Sequence, residues 1–120
     1  MIKILFVEDS QKYIVQYRKD LQRYDAELLF AEDTEKAMEL YKANPDIAAI
    51  VIDGCLNSDE PNTLELVRQI KASGYQGRLI ANSSEHNAAL INAGCNTQCP
   101  NEVKEFVSDM LIEILNLRPK

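Results

Sequence analysis

The chain has 120 residues, of which 46% are hydrophobic, and its formal net charge is −6 at pH 7. This length predicts one domain over residues 1–120, and the apolar content predicts a packed core rather than a disordered chain. The acidic balance argues against nucleic acid as a partner, because phosphate backbones bind basic surfaces. No apolar run approaches the roughly 20 residues of a membrane span, so we expect no membrane partner.

Three cysteines, Cys55, Cys95 and Cys99, form an odd set in a chain that lacks the pattern of a signal peptide. Such a set favours a reduced compartment, and we therefore expect a cytoplasmic protein. Cys95 and Cys99 stand four apart with His86 nearby, which raises the alternative of a zinc site. Structural zinc sites have tighter, paired spacings, so we favour thiols without a metal.

Strand-like and helix-like segments alternate along the chain, which predicts βαβ units and a parallel sheet in a doubly wound (βα)5 α/β fold. The predicted strands are Ile2–Val7, Ala26–Ala31, Ile47–Ile52, Arg78–Asn82 and Cys95–Cys99. The predicted helices run from Gln11 to about Tyr24, from Asp33 or Thr34 to Asn44, from Asn62 toward Gly74, from about Glu85 to Ala93, and from Pro100 through Leu115.

Local signals set the expected ends of these elements. Ser10 is expected to cap the first helix, and Asn62 with Glu65 resembles a capping box for the third. The continuous apolar run Ile47–Ile52 predicts a central strand that is covered on both faces. Pro100 suits the first turn of the last helix.

Polar residues follow three of the predicted strands. Glu8 and Asp9 follow the first strand, Asp53 follows the third, and Ser83 stands at the end of the fourth. In an open parallel sheet, ligands bind outside the carboxyl ends of the strands, so we expect these side chains to converge. Clustered carboxylates beside a hydroxyl suit a divalent cation and phosphoryl transfer to a carboxylate.

Each of these residues also has a simpler interpretation. Asp9 could cap the first helix, and Asp53 followed by glycine is typical of a turn. It is the combination of the acidic pair with a lone Asp after a buried strand that favours a site. Tyr13 and Tyr17, four residues apart, are interpreted as packing residues rather than as part of a cofactor site.

The three strand ends also carry a family resemblance. The segments Ile4–Ser10, Val51–Asp53 and Ile80–Ser84 resemble the receiver domain of two-component response regulators, and the similarity covers essentially the whole chain. The resemblance implies a flavodoxin-like fold with a five-stranded parallel sheet in the order 2-1-3-4-5 and five flanking helices.

The resemblance also implies roles for individual residues. Glu8 and Asp9 match the acidic pair that holds Mg²⁺, and Asp53 matches the phosphoryl acceptor, which also contacts the metal. Ser83 matches the hydroxyl residue that contacts the phosphoryl group. Cys55 matches the position whose backbone carbonyl completes the metal site.

The chain departs from the family pattern after the fifth strand. The family has a Lys-Pro pair there, and its lysine pairs with the phosphoryl group; here the matching residues are Cys99 and Pro100. A thiol cannot supply that charge, so we expect a site without its usual lysine. Residues 96–98 also lack the aromatic residue that reports phosphorylation in the family.

The leading hypothesis is a single-domain response regulator rather than an enzyme. It would accept a phosphoryl group on Asp53 from a histidine kinase or phosphotransfer protein and would signal by binding a downstream protein. The alternative is a pseudo-receiver that binds partners without phosphorylation, an interpretation that Cys99 supports. A phosphatase with an Asp nucleophile is disfavoured, because such enzymes want a second Asp where Cys55 stands.

Overall fold

A computed structural model describes residues 1–120 as one α/β unit. Its strands are β1 (Ile2–Val7), β2 (Ala26–Ala31), β3 (Ile47–Ile52), β4 (Arg78–Ala81) and β5 (Thr97–Gln98). Its helices are α1 (Gln11–Leu21), α2 (Thr34–Ala43), α3 (Leu64–Ala72), α4 (Asn87–Ala93) and α5 (Val107–Ile114). Two short 3-10 turns, Pro100–Glu102 and Lys104–Phe106, come before α5.

All paired strands of the sheet are parallel, and their order is β2-β1-β3-β4-β5. The predicted doubly wound fold and strand order are therefore confirmed. The central strand β3 has apolar side chains on both faces, as its continuous apolar sequence predicts. No helix has the length and apolar character needed to cross a membrane, and α1, the longest, has 11 residues.

Side chains that alternate along the strands divide the core into two layers. Ile50 and Ile52 of β3 pack on the face covered by α2, α3 and α4. Ala49 and Val51 pack on the opposite face, which α1 and α5 cover. This alternation follows from the two-residue period of a strand. The two layers hold the sheet between them, so the carboxyl ends of β1, β3 and β4 are left to form one edge.

Two helix starts differ from the sequence prediction. Ser10 does occupy the N-cap position of α1, but its side chain makes no capping hydrogen bond. Asn62 does not cap α3, whose N-cap is Thr63. The Asn62 amide instead accepts a hydrogen bond from Leu56 N and donates one to Leu56 O, each 2.8 Å long. The predicted capping box is wrong because this amide closes the long loop after β3.

The segment before α5 departs most from the prediction. The last helix begins at Val107 rather than at Pro100, because Asn101 and Glu102 have φ angles of 55° and 57°, in the left-handed region. The chain therefore makes an irregular connection between β5 and α5. This connection determines which side chain of residues 99–106 points toward the edge of the sheet where β1 and β3 end.

The central strand should control stability. Ile50 is fully buried in β3, so Ile50→Ala removes packed methyl groups and leaves a cavity. We expect the free energy of unfolding to fall by about 2–5 kcal/mol in urea titrations. The matched control is Val15→Ala at a side chain that is 61% exposed, which should change it by less than about 0.5 kcal/mol. Similar losses at both positions would contradict the placement of β3 at the centre of the core.

Candidate functional site

The carboxyl ends of β1, β3 and β4 meet at one edge of the sheet. Asp53 N donates to Val7 O over 3.0 Å, and Asn82 N donates to Ile52 O over 2.9 Å, so pairing continues past each strand end. Residues that follow the three strands are thereby placed side by side. The predicted convergence of these strand ends is what the structure shows.

Three carboxylates form an acidic cluster, consisting of Glu8, Asp9 and Asp53. One oxygen from each lies within 4.8 Å of the others. Glu8 is 2% exposed, and its Oε2 accepts a hydrogen bond from Ser10 N over 3.2 Å. Asp9 Oδ2 accepts from Asn57 N over 2.9 Å, which ties the loop after β3 to the cluster.

The acidic cluster has the chemistry of a divalent-cation site. Its donors are carboxylate oxygens, which magnesium and manganese prefer. Glu8 Oε1 is fully buried, and the charged group that faces it is the ammonium of Lys104, 2.6 Å away. Carboxylates at this spacing repel one another, and a divalent cation would relieve the part of that repulsion that a single ammonium leaves. The residues therefore fit the metal that the family resemblance implies.

Lys104 places an ammonium group inside this site. Its Nζ lies 2.6 Å from Glu8 Oε1 and 3.4 Å from Asp53 Oδ2, and its side chain is only 9% exposed. The expectation of a site without a lysine is therefore wrong. Burial opposes the charge on Lys104, but Glu8 and Asp53 together raise the pKa of its ammonium above the usual value.

The sequence comparison missed Lys104 because it aligned the residue before Pro100 with the family's lysine. The 3-10 turns before α5 bring the chain back over the strand ends, and the cation comes from Lys104, five residues after Cys99. One signal could have identified it. Lys104 is the only Lys or Arg between Arg78 and Arg118, so it is the only such cation in the segment that contains α4, β5, the two 3-10 turns and α5.

Cys99 has a packing role instead. It is fully buried in the layer under α1 and α5. Its Sγ lies 3.6 Å from Asn87 Nδ2 and 3.7 Å from Ser83 O. Burial raises the pKa of this thiol, which keeps it neutral. Cys99 therefore supports the loop between β4 and α4 and brings no charge to the acidic cluster.

Ser83 lies at the end of β4 with its hydroxyl oriented by the following loop. Its Oγ accepts hydrogen bonds from His86 N over 3.1 Å and from Glu85 N over 3.3 Å. The Asn87 amide accepts from Ser83 N and donates to Ser83 O, so the backbone here is held on both sides. A hydroxyl that accepts two bonds still has its proton to donate to a ligand.

A cavity of about 320 Å³ opens beside Asp53. Six of its lining residues are Tyr13, Asp53, Cys55, Ser83, His86 and Lys104. Gly54 forms part of the wall nearby, since a Cβ there would lie 3.1 Å from the His86 Cβ and 3.5 Å from Ser83 Oγ. Asp53 and Ser83 therefore face a space that a small group can enter, and the site brings an acceptor, a hydroxyl and an ammonium together.

The cysteines do not assemble a second metal site. Cys95 belongs to the core layer under α2, α3 and α4, whereas Cys99 belongs to the layer on the other face of the sheet. All three thiols are free. Cys55 lies beside the acidic cluster, where its backbone N donates to Asp53 Oδ1 over 3.4 Å. The predicted role of its carbonyl as a metal ligand stays a prediction.

The pKa of Glu8 makes stability depend on pH. Burial raises it from 4.5 to about 7, although the Lys104 ammonium acts in the opposite direction. Because the folded-state pKa lies above the unfolded-state value, Glu8 contributes stability that is fully present below about pH 4.5 and is lost as the pH rises through about 7.

Glu8→Gln should remove this pH dependence. We expect the free energy of unfolding of the variant, minus that of the wild type, to increase from about pH 5 to about pH 7. The measurement is urea unfolding in the presence of a chelator, with Glu39→Gln at an exposed site on α2 as the control. A difference that stays constant with pH would show that Glu8 does not titrate in this range.

Comparisons with solved structures identify the fold. A response regulator receiver protein from Pseudoalteromonas atlantica is 16% identical, with a TM-score of 0.75, and the match covers 95% of this chain and 97% of that one. The Mn²⁺-bound form of response regulator Rcp1 is 19% identical, with a TM-score of 0.70 and coverage of 96% and 95%. The phosphorylated cyanobacterial phytochrome response regulator RcpA is 18% identical, with a TM-score of 0.70 and coverage of 95% and 94%.

The similarity lies in three dimensions rather than in sequence. No protein-family model matches the sequence, and no curated protein does. The solved receivers nevertheless match it over nearly its whole length, with the same doubly wound topology. The acidic cluster and the ammonium of Lys104 lie at the carboxyl edge of that sheet. The chain therefore has the fold of the response regulator receiver domains.

Proposed function

We propose that this chain is a response regulator receiver domain that accepts a phosphoryl group on Asp53. The observation that carries the proposal is the position of the Asp53 carboxylate. It lies at the end of the central strand, within the acidic cluster and 3.4 Å from the Lys104 ammonium. A carboxylate that is surrounded in this way by cation ligands and a fixed positive charge is suited to attack phosphorus.

The phosphoryl donor in this proposal is the phosphohistidine of a histidine kinase or a phosphotransfer protein. The phosphorus–nitrogen bond breaks, its electron pair stays with the imidazole, and a new phosphorus–oxygen bond forms to an Asp53 carboxylate oxygen. Asp53 is 12% exposed and lines the open cavity, so its oxygen is reachable from outside. The chain is the acceptor in this reaction and needs no enzymatic activity toward a separate substrate.

Glu8, Asp9 and Asp53 would hold Mg²⁺, with the backbone carbonyl of Cys55 as a further ligand. The neighbour Rcp1 in its Mn²⁺-bound form supports a divalent cation in a fold of this kind. When bound, the metal supplies positive charge to phosphoryl oxygens. The three carboxylates position that charge, and the Asn57 N–H holds Asp9 in place.

Lys104 and Ser83 would contact the transferred group. The ammonium stabilises negative charge on a phosphoryl oxygen, which is worth most in a partly buried site such as this one. The Ser83 hydroxyl donates to another oxygen from the opposite wall of the cavity. In this proposal Lys104 performs the task that the sequence comparison had assigned to the position of Cys99.

The competing function is a pseudo-receiver that binds partners without phosphorylation. Its main support was the thiol at position 99, and Lys104 removes that support by supplying the charge from elsewhere. What still favours the pseudo-receiver is β5, which has only two residues and no aromatic side chain.

Under the leading proposal the chain acts in the cytoplasm and signals through an unidentified downstream protein, without nucleic acid or membrane partners.

Magnesium should stabilise the protein by mass action. We expect millimolar Mg²⁺ to raise the melting temperature in differential scanning fluorimetry, because the cation relieves repulsion among Glu8, Asp9 and Asp53. Asp53→Asn and Asp9→Ala should both reduce the increase, whereas Glu113→Gln on the exposed face of α5 should leave it unchanged. An unchanged melting temperature in the wild type would remove the metal from the proposal.

Phosphorylation should depend on Lys104 and not on Cys99. With magnesium and phosphoramidate, intact-mass analysis should show one phosphoryl adduct, and Asp53→Asn should abolish it. Lys104→Met should slow the reaction by about a hundredfold, the size that loss of one charge-stabilising donor produces. Cys99→Ala should react at close to the wild-type rate, because its thiol lies in the core.

Two outcomes would contradict the assignment. A wild-type protein that acquires no adduct, while a known receiver does so under the same conditions, would favour the pseudo-receiver. An adduct that peptide mapping places on Glu8, Asp9 or Ser83 would show that Asp53 is not the acceptor.

A further inference from the structure

Lys104 lies in an irregular segment whose backbone does little to fix the conformation of its side chain. Lys104 is the first residue of a single 3-10 turn, and only Val103 separates it from Asn101 and Glu102, which have left-handed φ angles. Neither a strand nor a regular helix orients it. A lysine side chain also has many rotamers, and fixing them is costly in entropy. An ammonium that must face Asp53 therefore needs support from neighbouring elements.

The head of Lys104 rests on an aromatic ring. Its Nζ lies 4.2 Å from the centroid of the Tyr13 ring, a distance that gives a cation–π interaction. Glu8 and Asp53 contact the same ammonium through their carboxylates. The ring belongs to the first turn of α1, four residues after Asp9 of the acidic pair. Three neighbours therefore restrict the position of the charge, and two of them are carboxylates of the site itself.

The backbone of Lys104 is held by a second tyrosine. The buried Tyr17 hydroxyl donates to Lys104 O over 3.3 Å. The same hydroxyl accepts a hydrogen bond from Asn82 Nδ2 over 2.9 Å, so its proton is directed toward the carbonyl. Asn82 directly precedes Ser83 at the end of β4. The 3-10 turn is thereby attached both to α1 and to the strand end beside the cavity.

The two tyrosines support each other. They stand four residues apart on α1, so they share one face of the helix. Their rings stack with centroids 6.1 Å apart, and Tyr17 also stacks on Phe6 of β1 at 5.0 Å. Tyr17 is fully buried, which limits its movement. The Tyr13 ring under the Lys104 ammonium is therefore packed, through Tyr17, against the core.

We infer that Tyr13 and Tyr17 are positioning residues for the Lys104 ammonium, a role beyond packing that follows from the displaced position of this lysine. Tyr17 fixes the backbone from which the side chain starts, and Tyr13 fixes the charged end. The functional consequence rests on the proposed function, because it concerns the speed of phosphoryl transfer to Asp53. Pre-orientation of a charge raises the rate, since no reorganisation is then needed during the reaction.

The contact between the Tyr13 ring and the Lys104 ammonium can be tested without any phosphoryl donor. A cation over a ring face experiences the ring current, so the Lys104 Hε protons should be shifted upfield in the NMR spectrum. Lys12, whose Nζ lies 5.3 Å from the same ring centroid, should be shifted less, and lysines that contact no ring should not be shifted. Assignment of the Lys104 signal is confirmed by its disappearance in Lys104→Met. Tyr13→Phe retains the ring and should keep the shift, whereas Tyr13→Leu should abolish it.

The functional part uses the same variants with magnesium and phosphoramidate. Tyr13→Leu should slow phosphorylation of Asp53 by roughly tenfold, the size expected for a cation–π contact at a largely desolvated site, and Tyr13→Phe should restore the rate. Tyr17→Phe should slow it by a few-fold, since the hydroxyl loses both its hydrogen bond to Lys104 O and the one it accepts from Asn82 Nδ2. The matched control is Tyr41→Leu, which removes a ring packed edge-on against Tyr75 away from the site.

The outcomes separate positioning from simple packing. If the tyrosines only pack, Tyr13→Leu and Tyr41→Leu will lower the melting temperature alike and leave the rate unchanged, and the inference is wrong. An unshifted Hε signal in the wild type would overturn it as well. If the wild type shows the shift but accepts no phosphoryl group, the proposed function fails while the positioning of Lys104 stands.

Discussion

The site depends on a balance of charge at the carboxyl edge of the sheet. Glu8 and Asp53 are largely removed from water, and two carboxylates so placed repel each other. The Lys104 ammonium lies between them and offsets that repulsion. Removing one member of a buried ion pair leaves the others uncompensated, which is far more costly than losing an exposed pair. Each segment around the site must therefore keep this cation in place.

Polar groups of the central strands lie at that edge because the side chains within the sheet are packed in apolar layers. The central strand β3 is covered on both faces, so its first polar side chain appears only where the strand ends, at Asp53. Pairing of β3 with β1 and β4 then determines that Glu8 and Ser83 become its neighbours. The surrounding loops complete the geometry through side-chain amides, of which Asn62 and Asn87 are the main examples.

The positions of Cys99 and Lys104 show that the cation of this site comes from a 3-10 turn before α5 and not from the end of β5. A buried thiol suits the apolar layer that Cys99 occupies, since it packs as a small hydrophobe. The ammonium arrives from a 3-10 turn further on, held by the ring of Tyr13 and the hydroxyl of Tyr17. The site thus has its cation although the residue before Pro100 is uncharged.

The sequence by itself determined the order of elements, the parallel sheet and the residues that end β1, β3 and β4. These follow from local periodicity, as in the apolar run Ile47–Ile52, and from the rule that parallel strands end at one edge. Only the tertiary structure decided which cation enters the site. Lys104 and Asp53 are far apart in sequence, and the left-handed residues Asn101 and Glu102 redirect the chain between β5 and α5. No local pattern encodes that turn, because its conformation is stabilised by long-range contacts such as the one from Tyr17 to Lys104 O.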